Sequence, residues 1–243
     1  MNEENINNGC QQTFRNRCDT CWKIRGRRVR GTVHGSSQYD QDLRYKDAGQ
    51  EATLSDDIVR LKDSDLSVEG NVEKLFEEAG KIDHLVLNHA YSTMKELGDW
   101  TYEEINRHLI TNVTASMLFI QAYSKQSSGG CITLFTSGQS KGPMSGEIPY
   151  AVSKEAISEI GRQSALVLGE KNIRVNVVNP GPTDTGYMDK ESDIYQDIAD
   201  RFNQKRWGTP DDIANLVLFL HSDKGSWITG EVISSEGGFN RFN

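Results

Sequence analysis

Cys131-Ile-Thr-Leu-Phe-Thr-Ser137 and Tyr150-Ala-Val-Ser-Lys154, the second opening a helical pattern that runs to Leu168, decide how this chain is organised. The first is a compact apolar run ending in a serine, as in strands covered on both faces. The second places a phenol and an ammonium at i and i+4, on one face of a helix. A nearby cation favours phenolate, lowering a tyrosine pKa from its usual value of about 10. Tyr150 can then give a proton to a substrate oxygen or take one from it. Ser137, thirteen residues before Tyr150, falls at the carboxyl end of its strand, the edge where open α/β sheets bind ligands. Its hydroxyl can reach the same oxygen. Taken alone, Tyr-x-x-x-Lys describes many exposed helical pairs; the surroundings give it meaning.

Outward from this pair the pattern is regular. Strands are expected at Ile58–Lys62, Ile82–Asn88, Ile173–Val178 and Glu231–Ser234, and helices at Val68–Ala79, 101–126 and Asp211–Leu220. Thr101 with Glu104 three positions later is a capping box that starts the long helix. Strands alternating with helices imply βαβ units and one doubly wound parallel sheet, Rossmann-like, of about seven strands with helices on both faces. No linker or internal repeat interrupts it, so residues 1–243 are expected to form a single domain.

Composition narrows the class. The 243 residues carry 27 Lys+Arg against 35 Asp+Glu, a net charge of −8. No apolar run approaches the roughly 20 residues of a membrane-spanning helix, and the acidic, polar start is unlike a secretory signal. A cytoplasmic protein with no membrane partner is expected. The average hides a seam, because residues 15–30 hold Arg15, Arg17, Arg25, Arg27, Arg28, Arg30 and Lys23 against Asp19. That window carries +6 and the remainder −14. A basic arm for nucleic acid is thereby permitted, but the acidic body opposes it, and no nucleic-acid partner is expected.

Five ordered matches make the chain resemble the short-chain dehydrogenase/reductase family from about residue 60 to its end. They are Asn112 in Thr-Asn-Val, Ser137, the Tyr150/Lys154 pair, Asn179-Pro180-Gly181-Pro182-Thr183-Asp184-Thr185, and the closing Arg206-to-Ile213, Trp227-to-Gly230 and Glu236-to-Gly238 segments. The resemblance implies hydride transfer between NADP or NAD and a small-molecule carbonyl or alcohol. In that reading Tyr150 is the general acid/base, Lys154 holds the nicotinamide ribose, Ser137 orients the carbonyl oxygen and Asn112 anchors a water in the proton relay. Thr183 and Thr185 would contact the carboxamide, with Pro180 and Gly181 lining the cofactor. Asp65 and Leu66 would contact the adenine, and Ser36, Asn88 and Ala90 belong to the same cofactor-binding set. Asp65 has an alternative as a turn residue, and Asn88 one as a structural tie. The family's Asn-Asn-Ala-Gly becomes Asn88-His89-Ala90-Tyr91 here, with His89 expected to be packed and Tyr91 to shape the substrate pocket. Residues 186–205, with Tyr187, Tyr195 and Phe202, fall in the family's substrate lid. Relatives imply a homo-oligomer, tetramer or dimer, packed through helices 101–126 and 150–168.

The front departs from the family. A strand, then Thr-Gly-x-x-x-Gly-x-Gly, then a helix should cradle the pyrophosphate on backbone amides, and residues 1–31 contain none of it. Residues 7–31 have no apolar alternation, and only Val29–Val33 reads as a strand. A basic arm or a metal knuckle on Cys18-x-x-Cys21, with Cys10 or His34, is one account, although a lone Cys-x-x-Cys lacks its partner pair and no metal is expected. The other is that the segment is read out of frame: codons for Asn7-Asn8-Gly9-Cys10, begun one nucleotide later, are compatible with Ile-Thr-Gly-Ala. No acid follows His34-Gly35-Ser36-Ser37 at once, and Asp40 comes late, which leans toward NADP over NAD. The defective front also leaves room for a non-catalytic dinucleotide-binding protein on the same fold.

Overall fold

A computed structural model of the chain describes residues 61, 64–186 and 188–240, together with the backbone of Asp19–Cys21, Gly31–His34 and Ile58–Arg60. Ser36, Asp40, Cys10, Cys18 and Tyr187 lie outside the described residues.

The strands are β1 (Asp19–Cys21), β2 (Gly31–His34), β3 (Ile58–Arg60), β4 (His84–Leu87), β5 (Gly130–Phe135), β6 (Ile173–Asn179) and β7 (Val232–Ser234). Among the described residues they form one sheet in the order β3-β2-β1-β4-β5-β6-β7. Pairing is parallel from β4 through β7 and between β2 and β3. The exception is β1, which pairs antiparallel with both β2 and β4. The expected parallel sheet thus holds on either side of β1, and the one reversed strand lies inside the anomalous segment 7–31.

Helices α1 (Asn71–Ala79), α2 (Tyr102–His108), α3 (Ala115–Gln126), α4 (Ile148–Leu168), α5 (Asp193–Asp200) and α6 (Pro210–Leu220) follow the expected spacing. The capping box at α2 is formed as read, by Thr101 and Glu104. A second one starts α6, where Thr209 and Asp212 satisfy each other's amides. Arg206 grips the same Asp212 carboxylate at 2.7 and 3.2 Å. That bond, helped by Thr209, holds the Asp212 pKa down to about 2.

Successive strand residues point to opposite faces, and this splits the core in two. Leu85, Leu87, Ile132, Leu134, Val175 and Val177 pack with α1, α3 and α4 on one face. Val86, Phe135 and Val178 pack with Ile213, Val217 and Leu220 of α6 on the other. Both faces of the sheet are therefore dry, which accounts for the uninterrupted apolar runs that marked these strands in the sequence.

At the amino end of β4 and β5, away from the strand ends that carry the candidate site, lies a closed polar cluster. His221 caps α6 and meets Thr133 Oγ1 through Nε2 at 2.8 Å. Its ring stands edge-on to that of His84, 5.1 Å between centroids. The His221 Nδ1 is buried without a hydrogen-bond partner among the described residues. Neighbouring Cys131 is fully buried, and burial pushes its thiol up to about 11, so it is an inert packing group. Arg174 closes the cluster by donating to the Leu220, Gly225 and Ile228 carbonyls beyond the end of α6.

Burial, then the His84 and Arg174 charges, hold the His221 pKa well below its ordinary 6.5. The folded chain keeps this imidazole neutral, whereas the unfolded chain protonates it below pH about 6.5. Stability contributed by the neutral form is present above that pH and falls by up to about 1.4 kcal/mol per pH unit as acid is added, until the folded-state pKa is reached. Melting curves between pH 7.5 and 5 should show this slope, and His221→Gln should flatten it. An unchanged slope in that variant contradicts the assignment.

Candidate active site

The carboxyl ends of β4, β5 and β6 are in register, with Leu87 opposite Leu134 and Phe135 opposite Val178. The segments that follow them, beginning at Asn88, Thr136 and Pro180, therefore emerge along one edge of the sheet.

Two contacts dock α4 on the end of β5. Lys154, only 3% exposed, donates from Nζ to the Phe135 carbonyl at 2.9 Å. Thr136 Oγ1 donates to the Lys154 carbonyl at 2.7 Å and accepts from Ser158 Oγ and Gln139 Nε2. Ser137, next in the chain, is half-buried where β5 passes into a short 3-10 turn, Gly138–Lys141. Tyr150 stands in the first turn of α4, beside Pro149, whose fixed φ suits a helix start. The Lys154 ammonium lies 5.7 Å from the centre of the Tyr150 ring. The Tyr150–Lys154 turn is thus docked on the end of β5, where Ser137 follows Thr136.

Asn112 joins them through a relay of hydrogen bonds. It is buried in a π-helical turn, Leu109–Thr114, where α2 runs into α3. Such turns recur at functional sites. Its side chain accepts from the Tyr91 amide at 2.7 Å and donates to the Tyr91 carbonyl at 2.9 Å and to Ser153 Oγ at 2.8 Å. Ser153 in turn donates to the Tyr150 carbonyl at 2.7 Å. The Asn112 carbonyl accepts from Ser116 Oγ at 2.7 Å. His89 is buried, meets Ser116 Oγ at 3.2 Å and lies beside Phe119. It packs, as expected.

On the third strand end, Gly181 adopts φ +62°, and a Cβ there would run into the Glu236 side chain. Its amide is held by Asn179 Oδ1 at 3.1 Å. Thr183 Oγ1 turns back to the Gly181 carbonyl at 3.2 Å. Thr185 Oγ1, by contrast, is buried with no partner among the described residues. A buried hydroxyl of this kind costs about 1–3 kcal/mol unless a ligand completes it. Such an uncommitted hydroxyl fits a bound nicotinamide carboxamide. Asn88 and Ala90 are half-buried beyond β4.

Asp65 forms the turn expected of it. Its carboxylate accepts from the Ser67 amide and hydroxyl at 2.8 and 2.6 Å, a local turn. It also lies 3.7 Å from Arg107 of α2. Burial raises the Asp65 pKa, but the Ser67 bonds and Arg107 outweigh it, and the net shift is downward. Leu66, proposed beside the adenine, has its side chain in the core at 7% exposure, so only its backbone can face a nucleotide.

Three participants escape the sequence reading. Thr136 and Ser153 position α4 but carry no motif, since a buried serine or threonine declares itself only through its partners. Arg107 lies 4.7 Å over the Tyr91 ring, whose other neighbour is His108 at 4.7 Å. It thereby links Tyr91 to Asp65. The only available signal was Arg107-His108 lying one helical turn before Asn112.

A family model described as enoyl-(acyl carrier protein) reductase matches residues 41–240. The chain is 38% identical over 174 residues to "uncharacterized oxidoreductase YjdA" of Bacillus subtilis (strain 168), covering 70% of this chain and 68% of that protein. It is 34% identical over 214 residues to a 3alpha-hydroxysteroid dehydrogenase of Mediterraneibacter gnavus, covering 85% of each. Among solved structures, the angucycline C-6 ketoreductase LanV with bound NADP superposes with a TM-score of 0.72 at 26% identity, over 85% of this chain and 84% of that one. On the fold, the grouped Asn112, Ser137, Tyr150 and Lys154, and these likenesses, the chain belongs to the short-chain dehydrogenase/reductase family of oxidoreductases.

Proposed function

We propose that the chain transfers a hydride between NADP or NAD and a carbonyl or alcohol, with Tyr150 as general acid/base. The observation that carries this reading is the docking of the Tyr150–Lys154 turn beside Ser137, through Lys154 Nζ to the Phe135 carbonyl and Thr136 Oγ1 to the Lys154 carbonyl. When bound, the nicotinamide supplies or accepts the hydride. In reduction Tyr150 Oη gives its proton to the substrate oxygen, and in oxidation it takes one back. The Lys154 ammonium favours the phenolate form and holds the nicotinamide ribose. Ser137 Oγ orients the carbonyl oxygen. Asn112 anchors a water in the proton relay. Thr185, Thr183, Gly181 and Pro180 line the nicotinamide, while Asp65, the Leu66 backbone, Asn88 and Ala90 line the adenosine side.

The reactive carbonyl is proposed to belong to a ring ketone, supported by relatives that include a 3alpha-hydroxysteroid dehydrogenase and an angucycline ketoreductase. NADP is proposed ahead of NAD, on the absence of an acid directly after β2. Self-association through α3 and α4 is supported by exposed Met117 and Val152. Light scattering giving a dimer or tetramer mass bears this out, and a monomer mass ends it. No described helix is long and apolar enough to cross a membrane.

The reversed β1 supports the out-of-frame reading of residues 7–31. A glycine loop must leave its strand at the edge where Asn88, Ser137 and Pro180 emerge. Because β1 is antiparallel to β4, with Thr20 opposite Val86, its carboxyl end faces the other edge. The family match begins only at residue 41. Sequencing the coding DNA is expected to show codons that give Ile-Thr-Gly-Ala at positions 7–10 in the shifted register; codons that cannot do so refute it.

Steroid ketones with NADPH or NADH are the first assay. Tyr150→Phe should lower turnover at least about 10³-fold, within the range for loss of a positioned acid/base, while thermal unfolding stays unchanged. Equal rates in wild type and variant contradict the acid/base role, and dinucleotide binding without any turnover favours the non-catalytic dinucleotide-binding alternative.

A further inference from the structure

Between the two threonines of the Pro-Gly loop stands Asp184, which neither the motif nor the mechanism uses. Its carboxylate gathers three donors: Lys190 Nζ at 2.7 Å, Tyr195 Oη at 3.0 Å and the Gly186 amide at 3.1 Å. Lys190 and Tyr195 both belong to the lid, and Tyr195 lies in the first turn of α5. The Tyr195 ring stacks on buried Trp207 at 4.8 Å and 16°, and Trp207 Nε1 donates to the Tyr195 carbonyl at 2.9 Å. Gly208, next to Trp207, accepts from the Asp184 amide at 2.9 Å and donates to the Pro182 carbonyl at 3.2 Å. These contacts close a ring: Asp184 backbone to Gly208, Trp207 to Tyr195, Tyr195 hydroxyl back to the Asp184 carboxylate. The ring fixes both flanks of the segment that carries Thr185, whose buried hydroxyl lacks a partner among the described residues.

We propose that Asp184 is a positioning residue: by tying α5 to the Pro182–Thr185 segment through Tyr195 and Lys190, it holds the Thr185 hydroxyl where the nicotinamide carboxamide binds. The proposal rests on the NAD(P) reading above. Its physical basis is pre-organisation. A segment already held in its bound shape loses little conformational freedom when ligand arrives, so the anchor raises affinity without touching ligand. The Tyr195 bond carries more of this effect than the Lys190 pair, because the Lys190 side chain is 65% exposed and its ion pair is screened by solvent.

The test measures two quantities on the full chain: NADPH dissociation constant by quenching of tryptophan fluorescence, and hydrogen exchange across residues 193–200 without ligand. Asp184→Ala should weaken NADPH about 10–30-fold and speed exchange in α5 about tenfold or more. Tyr195→Phe keeps the stack on Trp207 and loses only the hydroxyl bond, so it stays interpretable should the alanine variant fail to fold; it should weaken NADPH about 3–10-fold. Asp184→Asn keeps an oxygen for the Gly186 amide and can donate its NH2 to Tyr195 Oη, so it should restore affinity to within about threefold of wild type, and Lys190→Gln should change it about twofold. Faster exchange with unchanged NADPH affinity in Tyr195→Phe reduces Asp184 to a lid brace and overturns the proposal, as does unchanged exchange. Tyr150→Phe, assayed for turnover alone, separates the two readings. Turnover by that variant defeats the acid/base role and leaves the anchor standing, whereas a wild-type chain that binds neither NADPH nor NADH defeats both.

Discussion

A buried ammonium must find an acceptor, and that requirement organises the site. Lys154 has almost no exposure and satisfies its charge on the Phe135 carbonyl at the end of β5. Removing the partner of a buried charge costs several kcal/mol, so the first turns of α4 cannot slide along the sheet. Thr136 locks the same junction from the strand side. With α4 fixed there, Tyr150 stands one turn before the anchored lysine, and Ser153 meets Asn112 from the helix's inner face. One lysine therefore serves two ends: it anchors the helix, and it is the cation beside the phenol.

The rest of the molecule supports that junction by keeping three strand ends level. Alternating residues of β4, β5 and β6 are packed on both faces by two separate apolar clusters. A one-residue slip in any of these strands would turn a buried side chain toward the wrong layer. The same constraint that makes the core stable thus holds Asn88, Ser137 and Pro180 in one row. The carboxyl edge holds the Lys154 ammonium and the uncommitted Thr185 hydroxyl, while the opposite edge holds a neutral imidazole and an inert thiol beside Arg174. Asp184 and Trp207 connect α5 to the loop after β6.

Legibility followed the reach of each interaction. Tyr150, Lys154, Ser137 and Asn112 were readable because their residue types sit at fixed spacing, and the capping box at Thr101 because it closes within one turn. Arg107 over Tyr91 and Asp65 under Arg107 were not, since the contact spans three separate segments and a surface arginine has no local pattern. Leu66 shows a further limit, since only folding shows that its side chain goes to the core and leaves its backbone to face outward. Thr136 and Ser153 were invisible because a small hydroxyl acts only through the groups folding brings to it.

By itself, the amino-acid sequence determined the alternation of strands and helices from about residue 58 onward, the family's four site residues and their order along one sheet edge, because periodicity and helical spacing are local properties. It also exposed a basic, glycine-poor front that breaks the pattern. Only the tertiary structure decided that β1 runs against its neighbours, that Lys154 is sealed on Phe135, and that Thr185 presents an uncommitted hydroxyl beside the Asp184 anchor. Those facts depend on contacts between residues far apart in the chain, which no local pattern encodes.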